Sequence, residues 1–334
     1  MSQPTINAVH VNGPLTNISV AFLQNATNFI AGQVFPNVPV RFRSDRYYTF
    51  DRGYFNRDEA QERAPGAESA GSGFEVDNTP TYYARVNAHH HDIADQIRAN
   101  ADPQVDMDRM AAELVAHKLL IKREKDWVSK FFASSIWTGG DVVGVASNPS
   151  AGTSVIKWSD YVASDPIGDV DAAKAAILEN TGLLPNVLVL GYKVFDALKR
   201  HPDIIDLIKY SGGVSPTNPA LITPQALAAV FGVDRVVIAS AIENVGKEGQ
   251  ANDHKFIAGS NAMLCHAATS PGLLTPTAGY TFSWTGFMGQ TNAMGFATKR
   301  FYLDAKEATR VEGQMAYDQK VISADLGYFW GAII

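Results

Sequence analysis

The sequence predicts an α+β chain of more than one lobe, and three observations carry that expectation. One stretch, 101–136, keeps helical spacing for seven or eight turns. From residue 160 onward, helices alternate with short apolar strands. Before and after these lie aromatic and β-branched segments with strand character, at 41–88 and across the last 55 or so residues. At 334 residues the chain exceeds the size at which one core usually stops growing.

Residues 1–40 are almost uncharged, with scattered Pro, Asn and Gly and no sustained period. They are too apolar for a free tail. They suit either an extended arm laid on a neighbouring surface or a strand or short helix packed on its own domain.

Residues 41–88 read as a hairpin. The arms RFRSDRYYTFDRGYF and FEVDNTPTYYARVNA are rich in aromatic and β-branched residues. The loop between them, NRDEAQERAPGAESAGSG, is far longer than the usual hairpin connection of about 2–5 residues. Small residues at its tip bury too little apolar surface to offset the entropy of ordering. A lone two-stranded hairpin is itself marginal. Something outside the hairpin must therefore order it.

In 101–136, Met107, Met110, Leu114, Ile121, Val128 and Phe132 mark an apolar stripe, widened by Ala111, Leu120, Trp127 and Phe131. Asp102–Pro103 or Asp106 can start the helix. The cluster KREK (122–125) is expected on the opposite, solvated face.

Further on, 165–182 is a helix closed by Gly182, Val187–Leu190 a buried strand, and 192–210 two helices divided at His201–Pro202. Residues 223–232 form a helix capped by Thr223 and closed by Gly232, and 233–240 and 254–267 supply strands. Arg300–Leu303 and Thr309–Tyr317 pair around a turn at Asp304–Glu307, and the last strand ties the C-terminus into a sheet.

Charge and composition exclude several classes. A net charge of −6 and a pI near 5.7 argue against general nucleic-acid affinity; no Lys precedes Lys118 and no Lys or Arg precedes Arg41. No apolar run approaches a membrane span, and the N-terminus lacks the basic and apolar regions of a secretory signal. The single cysteine, Cys265, excludes an internal disulfide and fits a reducing compartment. A soluble intracellular product is expected.

No catalytic motif is present: no P-loop, dinucleotide fingerprint, nucleophile elbow or HExxH. The glycines of 71–73 follow no buried strand and open no helix, so they make a poor phosphate cradle. His89 and His91 share a strand face, with His90, Asp92 and Asp95 nearby, but two ligands two apart make an incomplete metal site. Solvated surface histidines explain the cluster better. Cys265 and His266 fall on opposite strand faces and cannot form a thiolate–imidazole pair. No catalytic, cofactor-binding or metal-binding residue is assigned, and no cofactor is expected.

The order of segments, together with PNVLVLGYKVFDALKRHPDIIDLIKY (185–210) and QVFPNVPV (33–40), resembles the tailed-phage major capsid protein of the Hong Kong 97 type. The resemblance covers nearly the whole chain. It implies an N-terminal arm (1–40), an E-loop hairpin (41–88), a P-domain (89–159 and 276–318) with its spine helix at 103–136, and an A-domain (160–275 and 319–334). It implies self-assembly into hexamers and pentamers of an icosahedral virion shell, built in the host cytoplasm, with a neighbouring subunit ordering the hairpin tip. The shell would enclose double-stranded DNA without reading its sequence and would involve no membrane. Partners implied are a portal, in some members a decoration or cement protein, and either a separate scaffolding protein or a scaffolding segment already removed, since the arm before the hairpin is short; the Met1 start favours the separate protein. Some members weld subunits through an E-loop lysine, but 41–88 contain no Lys, so noncovalent contacts or a cement protein must serve. The alternatives are an encapsulin-like nanocompartment shell holding cargo enzymes, and an α/β enzyme with a decorative hairpin.

Overall fold

The computed structural model describes residues 24–101, 106–211, 222–272, 275–286 and 295–334. After a 3-10 turn at Ala26–Asn28, β1 (Asn37–Val40) leads into the projecting hairpin. Its outgoing arm is β2 (Ser44–Arg46), β3 (Thr49–Phe50) and the single-turn helix α1 (Arg52–Phe55); its return is β4 (Val76–Asp77) and β5 (Thr81–Tyr83). Then come β6 (Arg85–Ala94), α2 (Asp95–Ala99), the long helix α3 (Met107–Phe131), β7 (Asp141–Val145) and β8 (Ser154–Ile156). Alternation follows: α4 (Pro166–Thr181), β9 (Val187–Gly191), α5 (Tyr192–Leu198), α6 (Pro202–Ser211), α7 (Pro224–Phe231) and β10 (Arg235–Ala239). A small antiparallel pair, β11 (Ile242–Asn244) and β12 (His254–Phe256), precedes β13 (Ala262–Cys265), β14 (Gly279–Trp284), β15 (Phe296–Leu303), β16 (Ala308–Val321) and β17 (Gly327–Gly331).

The first sheet is built on the long strand β16. Antiparallel β6 runs along one side, from Arg85 opposite Tyr317 to Ala94 opposite Ala308. β15 and then β14 take the other side, and β1 extends β14 in parallel. The β15–β16 connection is a 3-10 turn at Asp304–Lys306, where the sequence places it. Helix α3 lies across β16 and β6, with Val115 and Leu119 against Met315 and Tyr317, and Ala111 against Ile93 and Val311. Gly313 permits this approach: a Cβ there would stand 2.5 Å from Val115 Cγ1.

The second sheet has the order β10-β9-β13-β17-β7-β8. β9 is buried along its whole length, as a strand with neighbours on both sides and helices packed against it must be. β9 and β10 are parallel, joined through α5, α6 and α7. The helix ends obey local rules. Asp165 accepts from Gly168 N at 2.9 Å and Thr223 from Ala226 N at 3.2 Å, while Gly182 and Gly232 take left-handed φ of 72° and 58°. β17 ties the C-terminal strand between β13 and β7, and Ile333 still bonds Trp158 and Ser260 through its backbone.

Helix α3 corrects three expectations. It starts at the Asp106 cap, which accepts from Arg109 N at 3.0 Å, but it stops at Phe131, not 136. The alternative start at Asp102–Pro103 lies outside the described residues. Its buried stripe is the i, i+4 ladder Ala111, Val115, Leu119, Arg123, Trp127 and Phe131, while Met110 is exposed and Leu114, Leu120 and Ile121 are only half-buried. The KREK cluster splits: Lys122 and Lys125 are solvated, but Arg123 and Glu124 are buried. The ladder runs through position 123 by geometry, whatever side chain stands there.

Residues 24–40 pack on their own chain. Ile30, Ala31, Val34 and Phe35 join the core with Trp127, Phe131 and Trp137, and that core runs on without a break into β9, β13 and β17. The arm expected over 1–23 lies outside the described residues.

Candidate assembly surface

The hairpin is secured at its base and open at its end. At the base, the Tyr82 ring stacks on Phe282 of β14 at 4.7 Å, and Tyr47 stacks on the same ring at 5.5 Å. Tyr83 N donates to the buried carboxylate of Asp318 at 3.0 Å, and Lys130 Nζ holds the other oxygen at 2.8 Å. Midway, the Arg43 guanidinium covers the Tyr83 ring at 4.6 Å, and Arg52 reaches Asp325 of the body at 2.7 Å. β2 pairs β5 over three residues and β3 pairs β4 over two.

Beyond Arg52 the order is purely local. Phe50, Phe55 and Phe74 form a triangle with centroids 5.7–6.3 Å apart, yet Phe55 and Phe74 remain 56% and 60% exposed. From 56 to 75, nearly every residue is exposed. The contacts there stay within the hairpin: Arg57 to Glu59, Arg63 to the Ala67 carbonyl, and Tyr54 Oη to Glu75 across the two arms. A shallow hollow of about 500 Å³ at the tip is lined by Tyr54, Arg57, Asp58, Glu59, Gln61 and residues 70–73. Gly71 and Gly73 stand in open space within it, neither after a buried strand nor before a helix. Phe42, Tyr48, Val76 and Tyr83 add exposed apolar surface along the shaft. A ribbon whose aromatic surface faces water is built to be covered.

The other candidates resolve into structural roles. Asp92 is not available to a metal: Arg310 grips it with two bonds of 2.6 and 2.8 Å, Lys306 adds a third at 3.2 Å, and this holds its carboxyl down at about 2. Asp95 accepts from Tyr302 Oη at 2.6 Å. His89 is exposed, while His90 and His91 are half-buried on β6 opposite Glu312 and Val311. Among the described residues, no three His, Cys, Asp or Glu side chains converge as a metal would require. Cys265 is fully buried, which pushes its thiol up to about 12, and the His266 ring instead meets the Leu184 carbonyl at 2.8 Å.

One constellation escapes sequence reasoning. Ser164 Oγ lies 3.0 Å from His201 Nε2, and His201 Nδ1 lies 3.7 Å from Asp203. The order suggests a nucleophile, base and orienting acid. However, Ser164 Oγ donates its proton to the Asp160 carbonyl at 2.6 Å, so Nε2 must be the donor to Oγ. An imidazole that donates to the serine cannot take its proton, and both side chains are buried. The group clamps the 160–165 turn to the start of α6. Only folding brings residues 37 apart together here; no local spacing announces it.

Among the described residues, no helix is long and apolar enough to cross a membrane. No family model matches the sequence. Two curated relatives are the major capsid proteins of Burkholderia phage BcepMu, 23% identical over 83% of this chain and 84% of that protein, and of Pseudomonas phage JBD67, 23% identical over 96% of both. Among solved structures, a phage-related protein from Bordetella bronchiseptica superposes with a TM-score of 0.66 at 20% identity, over 93% of each chain. The capsid of cyanophage P-SCSP1u gives 0.58 at 12% identity, covering 94% of this chain and 90% of its own. The holo-SrpI encapsulin complex of Synechococcus elongatus also gives 0.58, at 11% identity, covering 99% and 96%.

Proposed function

We infer that this chain is a tailed-phage major capsid protein of the Hong Kong 97-type fold, the subunit that assembles into the icosahedral shell of the virion. The observation that carries this reading is the hairpin: an aromatic ribbon fixed at its root and bare at its end, on a chain that two phage major capsid proteins match over most of their length. A subunit of this kind completes its core alone and its ribbon only in company.

The parts take their roles from that reading. Residues 41–88 are the E-loop, which lies on the adjacent subunit of a hexamer or pentamer; such ring contacts join different patches of successive copies. Helix α3 is the spine of the P-domain, and the sheet around β9 is the A-domain. Because β7 and β8 pair in that second sheet, we place the boundary between the two near Trp137, ahead of the position 159 expected from sequence. Residues 1–40 are the N-terminal arm. The role is structural, with no reaction assigned. A scaffolding protein, a portal and a cement protein complete the proposed set of partners, and packaged double-stranded DNA fills the shell.

An encapsulin-like compartment is the second reading, favoured by the cyanobacterial neighbour that covers nearly the whole chain. The two separate on contents and genes: terminase and portal genes beside this one support the virion, a cargo enzyme supports the compartment. The assignment as a shell subunit is tested by electron microscopy of the expressed, purified chain. Closed particles or regular rings support it; a discrete monomer or small oligomer at every concentration overturns it.

A further inference from the structure

Helix α3 crosses the first sheet on an apolar ladder that turns polar at one level. Toward one end Val115 and Leu119 pack with Met315. Toward the other, the Phe131 ring lies so close to β14 that a Cβ on Gly279 would stand 2.8 Å from it. Two residues along β14, Thr281 shares the face of Gly279, and one turn back along α3, Trp127 and then Arg123 share the face of Phe131. Gln319 of β16 pairs directly with Thr281, so the two side chains lie side by side on that face. The Gln319 Nε2 donates to the Arg123 carbonyl at 3.4 Å, which fixes the level at which helix and strands meet. A second tie agrees: Thr281 N donates to the Pro36 carbonyl at 3.2 Å, and the neighbouring Phe35 ring lies 6.1 Å from Trp127.

Arg123, Trp127, Thr281 and Gln319 are all at most 2% exposed. Among the described residues, Arg123 Nε, Trp127 Nε1, Thr281 Oγ1 and Gln319 Oε1 find no hydrogen-bond partner. Leaving buried polar atoms unpaired is costly, and native cores rarely do so. The Glu124 carboxylate next along the helix does not serve them, because its oxygens accept from Ile30 N and Ala31 N. Nor do the four pair with one another, although donors and acceptors stand on facing surfaces.

We propose that a single water molecule is bound here, between α3 and strands β14 and β16, accepting from Arg123 Nε and donating to Gln319 Oε1 and Thr281 Oγ1.

Trp127 Nε1 supplies a second donor in the same layer. Two donors and two acceptors match the two lone pairs and two protons of water, and buried waters typically make about three such bonds. An anion fits poorly despite the guanidinium, because it has no proton to give the Gln319 carbonyl oxygen. That oxygen cannot be exchanged for the amide nitrogen, since Nε2 is already committed to the Arg123 carbonyl. The water thus stands where an arginine interrupts the apolar ladder, and it joins the helix to two strands of the sheet. This inference does not rest on the shell assignment; it concerns the subunit in any assembly.

A structure of the full chain, as a crystal of the subunit or as a particle, that shows ordered waters tests it. One density peak is expected within hydrogen-bond distance of Arg123 Nε and Gln319 Oε1, and of at least one of Thr281 Oγ1 and Trp127 Nε1. Side chains in these positions with no peak between them, or side chains turned to pair with each other, would overturn the proposal. So would an anomalous signal at this place from crystals grown in bromide, which identifies an anion. Gln319→Leu combined with Thr281→Val removes both acceptors and should lose the peak; a peak of unchanged occupancy would overturn the proposal. If the doubly changed chain does not fold, the wild-type density decides alone.

Discussion

The β9 lobe and the hairpin are written in similar residues and end in opposite conditions. VLVLG of β9 lies between β10 and β13 with every residue buried. TF and VD of the hairpin pair over two residues, and two of the three rings in the aromatic triangle beside them, Phe55 and Phe74, are more than half exposed. Similar preferences for strand conformation thus produce a finished core in one place and an unfinished surface in the other. The difference is neighbours: strand propensity becomes stability only where adjacent strands and a covering layer exist. A chain that completes one region and leaves another bare separates folding from assembly.

That comparison can be broken at several points. The largest effect falls in the lobe. Leu190→Ala deletes a fully buried side chain and should lower unfolding free energy by about 2–5 kcal/mol, read by denaturant melts of the unassembled subunit. A loss below about 1 kcal/mol would mean the lobe is not the stabilising unit.

A smaller effect lies where β6 pairs with β16 in the first sheet. Asp92 is held at about 2 by Arg310 and Lys306, below its unfolded value of 3.8, so its stabilisation is complete above pH 4 and is lost as pH falls to 2. Wild type should lose roughly 2 kcal/mol more than Asp92→Asn over that window. Equal losses would remove the ion pair from the account.

The smallest stability effect belongs to the hairpin's end. Phe55→Ser with Phe74→Ser should change subunit stability by no more than about 0.5 kcal/mol, because both rings are exposed. The same double change should sharply reduce the yield of closed particles in sedimentation. A large destabilisation with normal particles would reverse the roles assigned to the two regions.

Much of this architecture was legible in the sequence where local chemistry decides. Thr223 with Gly232, Asp165 with Gly182, and the turn at 304–307 are signalled by residues that touch each other along the chain. The hairpin and its exposed end followed from composition and loop length, but Arg52–Phe55, expected as the end of the outgoing strand, form a helical turn capped by Asp51. The reading failed where a charge is buried by a distant partner. Arg123 and Glu124 look solvated in KREK, and nothing local shows that backbone amides 93 and 94 residues away will meet the carboxylate. The Ser164–His201 clamp and the Asp92–Arg310 pair were hidden for the same reason, their partners being 37 and 218 residues apart.

The central claim, that the ribbon's end works between chains and not within one, is most directly tested by deleting residues 63–73 and imaging the product by electron microscopy. The account predicts a subunit with an unchanged melting transition that no longer closes shells. Normal-sized particles from the deleted chain would contradict it.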